Sequence, residues 1–446
     1  MKIEKKLWVT LFAFVLFAIC FSGWIFSKSP KSENLFWDNT IEFAARDFEL
    51  GEIRTESISL PSEFNIPRSI LFKTTHTKAE VWLAGKMIYQ YGNEENAPKF
   101  MKSPGSGWHI VDIPANSGGK SREVRIIPVY DGFYGNLNTL VYGTRGDCIL
   151  KILSDSLGAM ILSCGILFMG IISLTLYFAT IKKRKKEGNA TKIEMFLNLG
   201  IFSILIALWT LEQCGFMQFL IPDERTVYFV DYFTFFLFPV PFNFLLYDTC
   251  KSKYRKGALY LSTLYLANMA VDMVLQCAGI VDIFQILTLT QGLMLVNVIY
   301  TVGIIYYEAA KIENQSAREF KYPMYIITCF AVLELISYYA KHFTDTSIFL
   351  PIGTLLFIVM LIWIQVYRYY DQYVQAQKVV YLQKMANMDM LTEAMNRNAY
   401  ENMIKYLDEQ EIELRTTGVV LFDLDNLKVI NDNYGHDKGD EALKLG

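Results

Sequence analysis

The sequence has little cysteine and no excess of charge of either sign. Only one of its seven cysteines, Cys148, lies in the polar N-terminal region, which excludes a disulfide framework there. The 42 basic and 45 acidic residues give a net charge of -3, which indicates no particular partner, and we expect no nucleic-acid binding. Polar composition is also low: 52% of the 446 residues are hydrophobic and the mean hydropathy is +0.24. These values exclude an ordinary soluble protein and indicate a multi-domain membrane protein.

The N-terminal apolar segment, residues 7–26, lacks the features of a cleaved signal peptide. It has no small-x-small cleavage site, and Ile19 precedes Cys20 where a lipoprotein requires a small residue. Its 20 uninterrupted apolar residues follow three lysines and are long enough to cross a bilayer. We therefore predict that residues 1–26 are a retained signal anchor whose N-terminus lies inside.

Residues 27–156 alternate apolar and polar positions between frequent turn residues, which predicts an all-β sandwich. We interpret His76 and His109 as ordinary sandwich residues rather than metal ligands. The aromatic residues of the strands favour two interpretations, a buried core or a platform on which a sugar stacks. They are Trp82, Tyr89, Trp108, Tyr130, Phe133 and Tyr134.

Seven further apolar segments follow, each long enough to span a membrane, and they give eight spans in total. The loop 182–192 carries six Lys/Arg and the loop 251–256 carries four, whereas the intervening short loops carry almost none. Because basic loops stay inside, residues 27–156 are predicted outside and the C-terminus in the cytoplasm. The segments are residues 157–181, 193–219, 226–249, 257–278, 282–306, 322–342 and 346–367.

Four ionisable residues fall within these segments, where charge is costly: Glu212, Asp231, Asp272 and Glu334. They are candidates for function, although polar pairs that hold a helix bundle explain them equally well. A transporter is a rival interpretation of residues 157–367, but no repeat between the two halves favours it.

Residues 368–388 continue the last span with helical character. Val374, Tyr381 and Met388 recur every seven residues, with Gln377 and Lys384 at the intervening positions. This spacing predicts a helical linker that forms a parallel coiled coil between two copies of the chain.

Residues 419–440 contain several closely spaced candidates for metal and nucleotide binding. The apolar run at residues 419–422 predicts a short buried strand, and Asp423 and Asp425 project from its end. Carboxylate oxygens suit Mg²⁺, which takes few protein ligands and keeps phosphate oxygens as the others. Lys428 and Asn431 then lie on one helical face, where a cation for phosphate stands beside an amide for a base edge.

Three other interpretations compete for these residues. A calcium-binding loop requires Gly where Lys428 stands and Glu where Tyr434 stands, so an EF-hand is excluded. A phosphatase of the haloacid-dehalogenase type usually continues Gly-Thr where this chain has Asn426 and Leu427. Solvated acids at a strand end explain an Asp-x-Asp pair but not the longer pattern.

That longer pattern resembles the GGDEF family of diguanylate cyclases, and a second motif of the family lies upstream. The one departure is Leu427, where the family usually has Phe, and this change between apolar residues is conservative. Two motifs in the right order are more specific than either alone. The upstream motif consists of Asp389, Leu391, Thr392, Asn396 and Arg397.

The resemblance implies a site for GTP and Mg²⁺ in an α/β domain. Asp423 is then a metal ligand, Leu424 adds its backbone carbonyl, and Lys428 holds phosphate. Asn431 and Asp440 read guanine, and no catalytic side chain is assigned. The family acts as a homodimer in which two GTP give cyclic di-GMP.

The resemblance also implies the arrangement of a bacterial membrane sensor. A sandwich followed by seven spans and an output domain resembles seven-transmembrane receptors with diverse intracellular signalling modules. The β region resembles their jelly-roll, carbohydrate-binding-like ectodomains, so we expect an external ligand of unknown identity, with carbohydrate as one candidate. The spans imply contact with membrane lipid. A multi-pass protein of the inner membrane follows.

The sequence reaches Gly446 before the Gly-Gly-Asp/Glu-Glu-Phe turn that names the family. We therefore expect residues 389–446 to be the N-terminal part of a GGDEF domain, inactive alone, in a parent sensor that makes cyclic di-GMP. The alternative is a receptor whose GGDEF-like module binds nucleotide or a partner without catalysis. An intact or a degenerate turn would distinguish the two.

Overall fold

The computed structural model describes twelve stretches of the chain, which divides into two compact units, Met1–Leu361 and Ile362–Gly446. The predicted signal anchor at residues 7–26 lies outside the described residues, as do Phe133 and Tyr134. The described residues are 39–42, 53–58, 67–92, 98, 100–115, 117, 119–130, 139–187, 191–221, 223–340, 348–409 and 420–445.

The predicted β region forms two four-stranded antiparallel sheets among the described residues. The first sheet has the order β1-β8-β3-β6 and the second the order β2-β7-β4-β5 once the strands are numbered along the chain. The strands are β1 (Asn39–Glu42), β2 (Arg54–Ser57), β3 (Arg68–Thr75), β4 (Thr77–Leu83), β5 (Lys86–Tyr91), β6 (Ser106–Ile113), β7 (Arg122–Pro128) and β8 (Thr139–Gly143).

One apolar core joins the two sheets into a sandwich. Ile70 and Phe72 of β3 are fully buried against Val124 and Ile126 of β7 in the same cluster. The intervening residue Arg125 is only partly buried, because successive side chains of a strand point to opposite faces. Burying each large apolar side chain contributes roughly 1.5–3 kcal/mol, so this alternation is what holds the sheets together.

Seven described helical segments are long and apolar enough to cross a membrane, as the sequence predicted. The helices are α1 (Arg145–Glu187), α2 (Thr191–Gln213), α3 (Glu224–Leu237), α4 (Pro239–Thr249), α5 (Lys256–Cys277), α6 (Ile283–Ala310), α7 (Gln315–Ala340) and α8 (Phe349–Asn387). Helices α3 and α4 together make one span, and a short 3₁₀ helix at Phe216–Phe219 follows α2.

Helix α1 begins at Arg145, twelve residues before the predicted span. The Thr144 backbone N–H donates to Asp147 Oδ2 at 2.9 Å, and the Asp147 N–H donates to Thr144 Oγ1 at 3.2 Å. This reciprocal pair satisfies backbone donors that the first turn of a helix otherwise leaves without partners. The cap sets the start of α1, which hydropathy alone does not detect.

The sandwich packs directly on the helices of the same unit. Leu71 and Val141 of the first sheet share a buried cluster with Cys148 and Ile152 of α1. Met101, which precedes β6, lies in a second cluster with residues of α3 and α6. Two separate apolar contacts therefore fix the sandwich on the bundle.

The second unit contains the end of α8 and three further helices, α9 (Arg397–Glu409), α10 (Leu427–Tyr434) and α11 (His436–Leu445). Helix α8 includes residues 368–387 of the segment predicted as a helical linker and ends at Asn387. The strand predicted at residues 419–422 is wrong over its described part, since residues 420–422 form no strand. No described segment pairs with their backbone, and an apolar run without a ladder partner does not become a strand.

Candidate functional site

Asp282, at the N-cap of α6, fastens the sandwich to the bundle. Its carboxylate accepts from the backbone N–H groups of Lys102 at 3.1 Å and Ser103 at 2.9 Å. It also accepts from Gln276 Nε2 at 2.9 Å and from the hydroxyl of Tyr130. Asp282 is only 2% exposed, so these donors replace the water that the carboxylate loses.

Sequence reasoning missed Asp282. Its signal was local, since Asp282 precedes an apolar helix and Gln285 follows at the third helical position, which is the capping-box pattern. That pattern predicts a helix start but not the donors from residues far earlier in the chain. The contact with the sandwich becomes apparent only in three dimensions.

His76 lies beside this carboxylate at the same boundary between sandwich and bundle. Its Nδ1 is 2.8 Å from Ser103 Oγ, its Nε2 is 3.4 Å from the Tyr232 hydroxyl, and its ring centroid is 4.2 Å from that of Phe284. Burial lowers the pKa of His76 to about 3, against the smaller opposing effect of Asp282. The imidazole is therefore neutral at physiological pH.

His109 is a core residue of the sandwich, in line with the sequence interpretation. Its Nε2 is 2.6 Å from Thr74 Oγ1 and its Nδ1 is 2.9 Å from the Tyr89 hydroxyl. Its ring centroid lies 4.3 Å from that of Tyr91. Burial lowers the pKa of His109 to about 3, so this side chain is also neutral.

The four described aromatics of the proposed sugar platform do not share one surface. Trp82 lies beneath the guanidinium of Arg125 at 4.4 Å, and Tyr89 packs against the sandwich core. Trp108 packs beside the cluster on α1, while Tyr130 bonds into the bundle boundary. The core interpretation describes Tyr89 and Trp108 better than the platform does.

Two of the ionisable residues in the bundle meet. Gln213 Nε2 is 2.9 Å from Glu212 Oε2 and 3.0 Å from Asp231 Oδ1, so one amide donates to both carboxylates. The two acids come from neighbouring helices, α2 and α3. Two carboxylates in one place repel unless a proton or a cation lies with them.

The other two ionisable residues have separate partners. Asp272 Oδ2 accepts from Asn268 Nδ2 at 2.9 Å within α5, and the same amide reaches a threonine of α6. Glu334 Oε2 accepts from the backbone N–H of Leu350 at 2.9 Å, in the first turn of α8. These contacts match the polar pairs that were weighed against a functional role.

The upstream motif forms a closed turn between α8 and α9. Asp389 Oδ1 accepts from the N–H of Leu391 at 3.0 Å and from the N–H and hydroxyl of Thr392 at 2.9 and 3.0 Å. These bonds, led by the one from the Thr392 backbone, lower the pKa of Asp389 below its usual range. The motif aspartate thus acts as a local brace for the turn.

Asn396 closes the same turn from the other side. Its Nδ2 donates to the carbonyl of Ala386 at 3.0 Å, and its Oδ1 accepts from the N–H of Ala399 at 3.1 Å. It therefore ties the end of α8 to the first turn of α9, as an N-cap residue does. Arg397 lies on the surface, where its Nε pairs with Glu401 at 2.9 Å.

The predicted metal ligands lie in a segment that is neither helix nor strand. Asp423 is exposed and Leu424 is half-buried, directly before α10. Asn426, the N-cap of α10, adopts a left-handed conformation with φ 59°, which asparagine tolerates better than most residues. Lys428 is exposed in the first turn of α10, so the structure places cation and carboxylate on either side of this bend.

The two predicted guanine readers are brought towards each other. Asn431 lies on α10 and Asp440 on α11, and the backbone of Gly439 passes so close to the Asn431 amide that any side chain at 439 would overlap it. Gly435, with φ 85°, makes the turn between the two helices. The sequence spacing alone did not reveal this helix pair.

The comparison with known families decides what this segment is. Residues 386–445 match the family described as diguanylate cyclase, GGDEF domain. This segment belongs to a GGDEF domain. The match includes the upstream motif and the segment from Asp423 to Asp440, so the resemblance inferred from the residues is confirmed.

Curated relatives match over the GGDEF segment, which is about 14% of this chain. Cyclic di-GMP phosphodiesterase NbdA of Pseudomonas aeruginosa is 40% identical over 65 residues. Probable diguanylate cyclase DgcC of Escherichia coli K12 is 38% identical over 63 residues, and a diguanylate cyclase of Vibrio cholerae is 40% identical over 63. The chain spans 8%, 17% and 20% of their lengths respectively. No solved structure gives a significant match.

The donor chemistry of the GGDEF segment fits Mg²⁺. The carboxylate of Asp423 and the neighbouring carbonyl of Leu424 are hard oxygen donors, and both residues are accessible. Among the described residues no three acidic, histidine or cysteine side chains cluster as a metal site. A cation that keeps water and phosphate oxygens as its remaining ligands needs no such cluster.

Proposed function

We propose that the chain is a membrane sensor whose GGDEF domain makes cyclic di-GMP from two molecules of GTP. The observation that carries this proposal is the presence, in one chain, of seven span-capable helices and a GGDEF match that contains both motifs. The sandwich and bundle receive the signal, and the GGDEF domain gives the output.

In this proposal each polar residue of the segment has one task. Mg²⁺, when bound, neutralises charge on the transferring phosphoryl oxygens. Asp423 and the Leu424 carbonyl hold it, and Lys428 binds phosphate. The Asp440 carboxylate accepts from the ring N–H and amino group of guanine, and the Asn431 amide also bonds to the guanine edge. Their placement on the paired helices α10 and α11 supports a shared role.

We further infer that the sandwich is a jelly roll on the outer side of the bacterial inner membrane. Its two four-stranded sheets and their orders support a jelly roll, since such folds build eight strands into two Greek keys. The lysine-rich loops support the orientation in which residues 27–156 lie outside and the GGDEF domain lies in the cytoplasm.

We also infer that two copies associate through the end of α8. Apolar side chains there are exposed within the described chain, including Val374 at 41% and Tyr381 at 57%. Exposed apolar residues at heptad spacing are typical of a coiled-coil partner face. Such a dimer would bring two GGDEF domains together, as the family's reaction requires.

A second candidate function rests on the comparisons. Some of the matching relatives carry the name cyclic di-GMP phosphodiesterase, NbdA among them. The GGDEF match is therefore compatible with a domain that binds GTP or cyclic di-GMP without making it. In that case the receptor would signal through nucleotide binding or through a partner.

The test is synthesis of cyclic di-GMP from GTP and Mg²⁺ by membranes that contain the full-length gene product, measured by mass spectrometry. We expect Asp423→Asn to lower the rate by about 100-fold or more, because it removes the charge that binds the cation. Asp437→Asn makes the same change at an exposed position of α11 and should leave the rate unaltered. Product at the wild-type rate from Asp423→Asn, or no product from folded wild type, would overturn the proposal.

A further inference from the structure

The first unit contains a cavity of about 230 Å³ below the sandwich, within the helix bundle. Its outer end is lined by Lys73 and His76 of the sandwich, and its inner part by helices α2 to α7. On α6 the lining residues extend from Leu287 to Thr301, which is about 21 Å along a helix axis. The cavity is therefore long, and one end lies at the sandwich.

The charged side chains of this cavity are unbalanced. Among its described lining residues three are carboxylic acids, Glu212, Asp231 and Glu334, and one is a lysine. His76 adds no positive charge, because burial lowers its pKa to about 3. The acids at 212 and 231 converge on the single amide of Gln213, so two carboxyl groups share the outer end with one lysine, Lys73.

A second, independent observation comes from the inner end. Thr301 Oγ1 lines the cavity, is 0% exposed as a residue, and has no hydrogen-bond partner within the described chain. Asn297 lies one turn earlier on the same face of α6, where its amide meets the hydroxyl of Tyr265. Buried polar atoms are normally paired, so the orphaned oxygen of Thr301 indicates a missing donor.

Between these two ends the wall is aromatic. Trp209, Tyr232, Phe235 and Phe242 line it together with Tyr338. Apolar walls with a few placed polar groups are typical of small-molecule sites, and the faces of aromatic rings attract cations. The occupant should therefore be elongated, with an apolar body, a positive charge near the outer end and a hydrogen-bond donor at the inner end.

We propose that this cavity binds an organic cation, an ammonium group on an apolar body that ends in a hydroxyl, with its charge at Glu212 and Asp231 and the hydroxyl beside Thr301. The ammonium replaces the proton or counter-ion that two adjacent carboxylates need, and the hydroxyl supplies the donor that Thr301 lacks. The role of this compound as the signal for the cyclase rests on the proposed function, whereas binding itself does not.

The test measures binding to the purified full-length protein by titration calorimetry, with no GTP present. The probe is 4-(4-hydroxyphenyl)butylammonium, compared with 4-(4-hydroxyphenyl)-1-butanol and 5-(4-hydroxyphenyl)valerate, which keep the hydroxyphenyl body and change the charge. We expect the ammonium compound to bind at least tenfold more tightly than the alcohol, and the carboxylate to bind more weakly than both. No saturable binding of the ammonium compound, or an alcohol or carboxylate that binds as tightly, overturns the proposal.

Two variants then test where the ammonium group of the compound binds. Asp231→Asn should weaken ammonium binding at least tenfold and alter alcohol binding less than twofold. Asp272→Asn is the matched control, since it neutralises a buried aspartate of the same bundle that does not line the cavity. Equal losses in both variants contradict the assignment. If Asp231→Asn does not fold, the comparison of the three probes on wild type still decides the matter.

The two proposals fail separately. Ammonium binding without any effect on cyclic di-GMP synthesis would remove the signalling role and leave the site. Normal synthesis from GTP with no ammonium binding would leave the cyclase and remove the site.

Discussion

The first unit is characterised by its three-dimensional contacts, whereas the GGDEF segment is characterised by its sequence motifs. In the sandwich and bundle, no short motif identifies the protein, yet Leu71, Phe72 and Tyr265 are almost completely buried and polar contacts link distant parts of the chain. In the GGDEF segment, the motifs identify the family, yet Leu421 and Phe422 are 93% and 89% exposed. A family motif can be recognised in the sequence, whereas a packed boundary between sandwich and bundle can be recognised only from its contacts.

The largest expected effect is on the stability of the packed first unit. Asp282→Ala should lower the free energy of unfolding of the first unit by about 3 to 5 kcal/mol, because it leaves several buried donors unpaired at about 1–3 kcal/mol each. The measurement is the thermal midpoint in detergent, followed by limited proteolysis of the sandwich.

The matched control is Asp155→Ala, which removes a half-exposed partner of Lys151 one turn away on α1. Exposed pairs of this kind contribute about 0.3–0.5 kcal/mol. If both alanine variants lose the same stability, Asp282 does not fasten the sandwich to the bundle.

The next largest effect is on the pH dependence of the stability of the first unit. His109 has a pKa of about 3 in the folded protein against an ordinary value of 6.5, so the unfolded chain takes up the proton first. Stability is complete above pH 6.5 and falls as the pH drops towards 3, by about 1.4 kcal/mol per unit. Between pH 6.5 and 5 the loss due to His109 should be about 2 kcal/mol.

The readout is the slope of the thermal midpoint against pH for His109→Gln, which should be flatter than that of wild type. His436→Gln changes an exposed histidine of the GGDEF segment and should keep the wild-type slope. A wild-type slope in His109→Gln would show that burial of this imidazole does not set the acid sensitivity.

The smallest expected effect tests whether the upstream motif of the GGDEF segment also contains residues with a structural role. Asn396→Ala should destabilise the turn between α8 and α9 by about 1 kcal/mol, because it removes a cap and a bond to the Ala386 carbonyl. Faster hydrogen exchange in the first turn of α9 is the measurement. Asn402→Ala, at an exposed position of the same helix, should leave exchange there unchanged, and equal rates in both variants would count against the cap.

Hydropathy and alternation predicted the seven described spans and the β region, because both depend on the local sequence alone. The helical linker was predicted for the same reason. The start of α1 was missed because the Thr144–Asp147 cap satisfies backbone groups and adds no hydropathy. The strand at residues 419–422 was wrong because a strand needs a partner, which an apolar run does not specify.

Individual site residues could be predicted from the sequence only where they belong to a recognisable motif. Asp423, Lys428, Asn431 and Asp440 were assigned from family spacing, and their roles stay predictions. Glu212 and Asp231 were flagged as costly charges, but their convergence on Gln213 required the fold. Asp282 carried only a capping pattern, and its partners at Lys102 and Ser103 lie about 180 residues away in sequence.

The central claim is that the packed first unit controls the output of the GGDEF domain. Its most direct test is the initial rate of cyclic di-GMP synthesis by membranes that contain full-length wild type, Asp282→Ala or Asp155→Ala at equal protein amounts. We predict a rate that differs at least threefold between Asp282→Ala and wild type, with Asp155→Ala equal to wild type and the KM for GTP unchanged. Equal rates in all three, with Asp282→Ala shown to have a loosened sandwich, would contradict the claim.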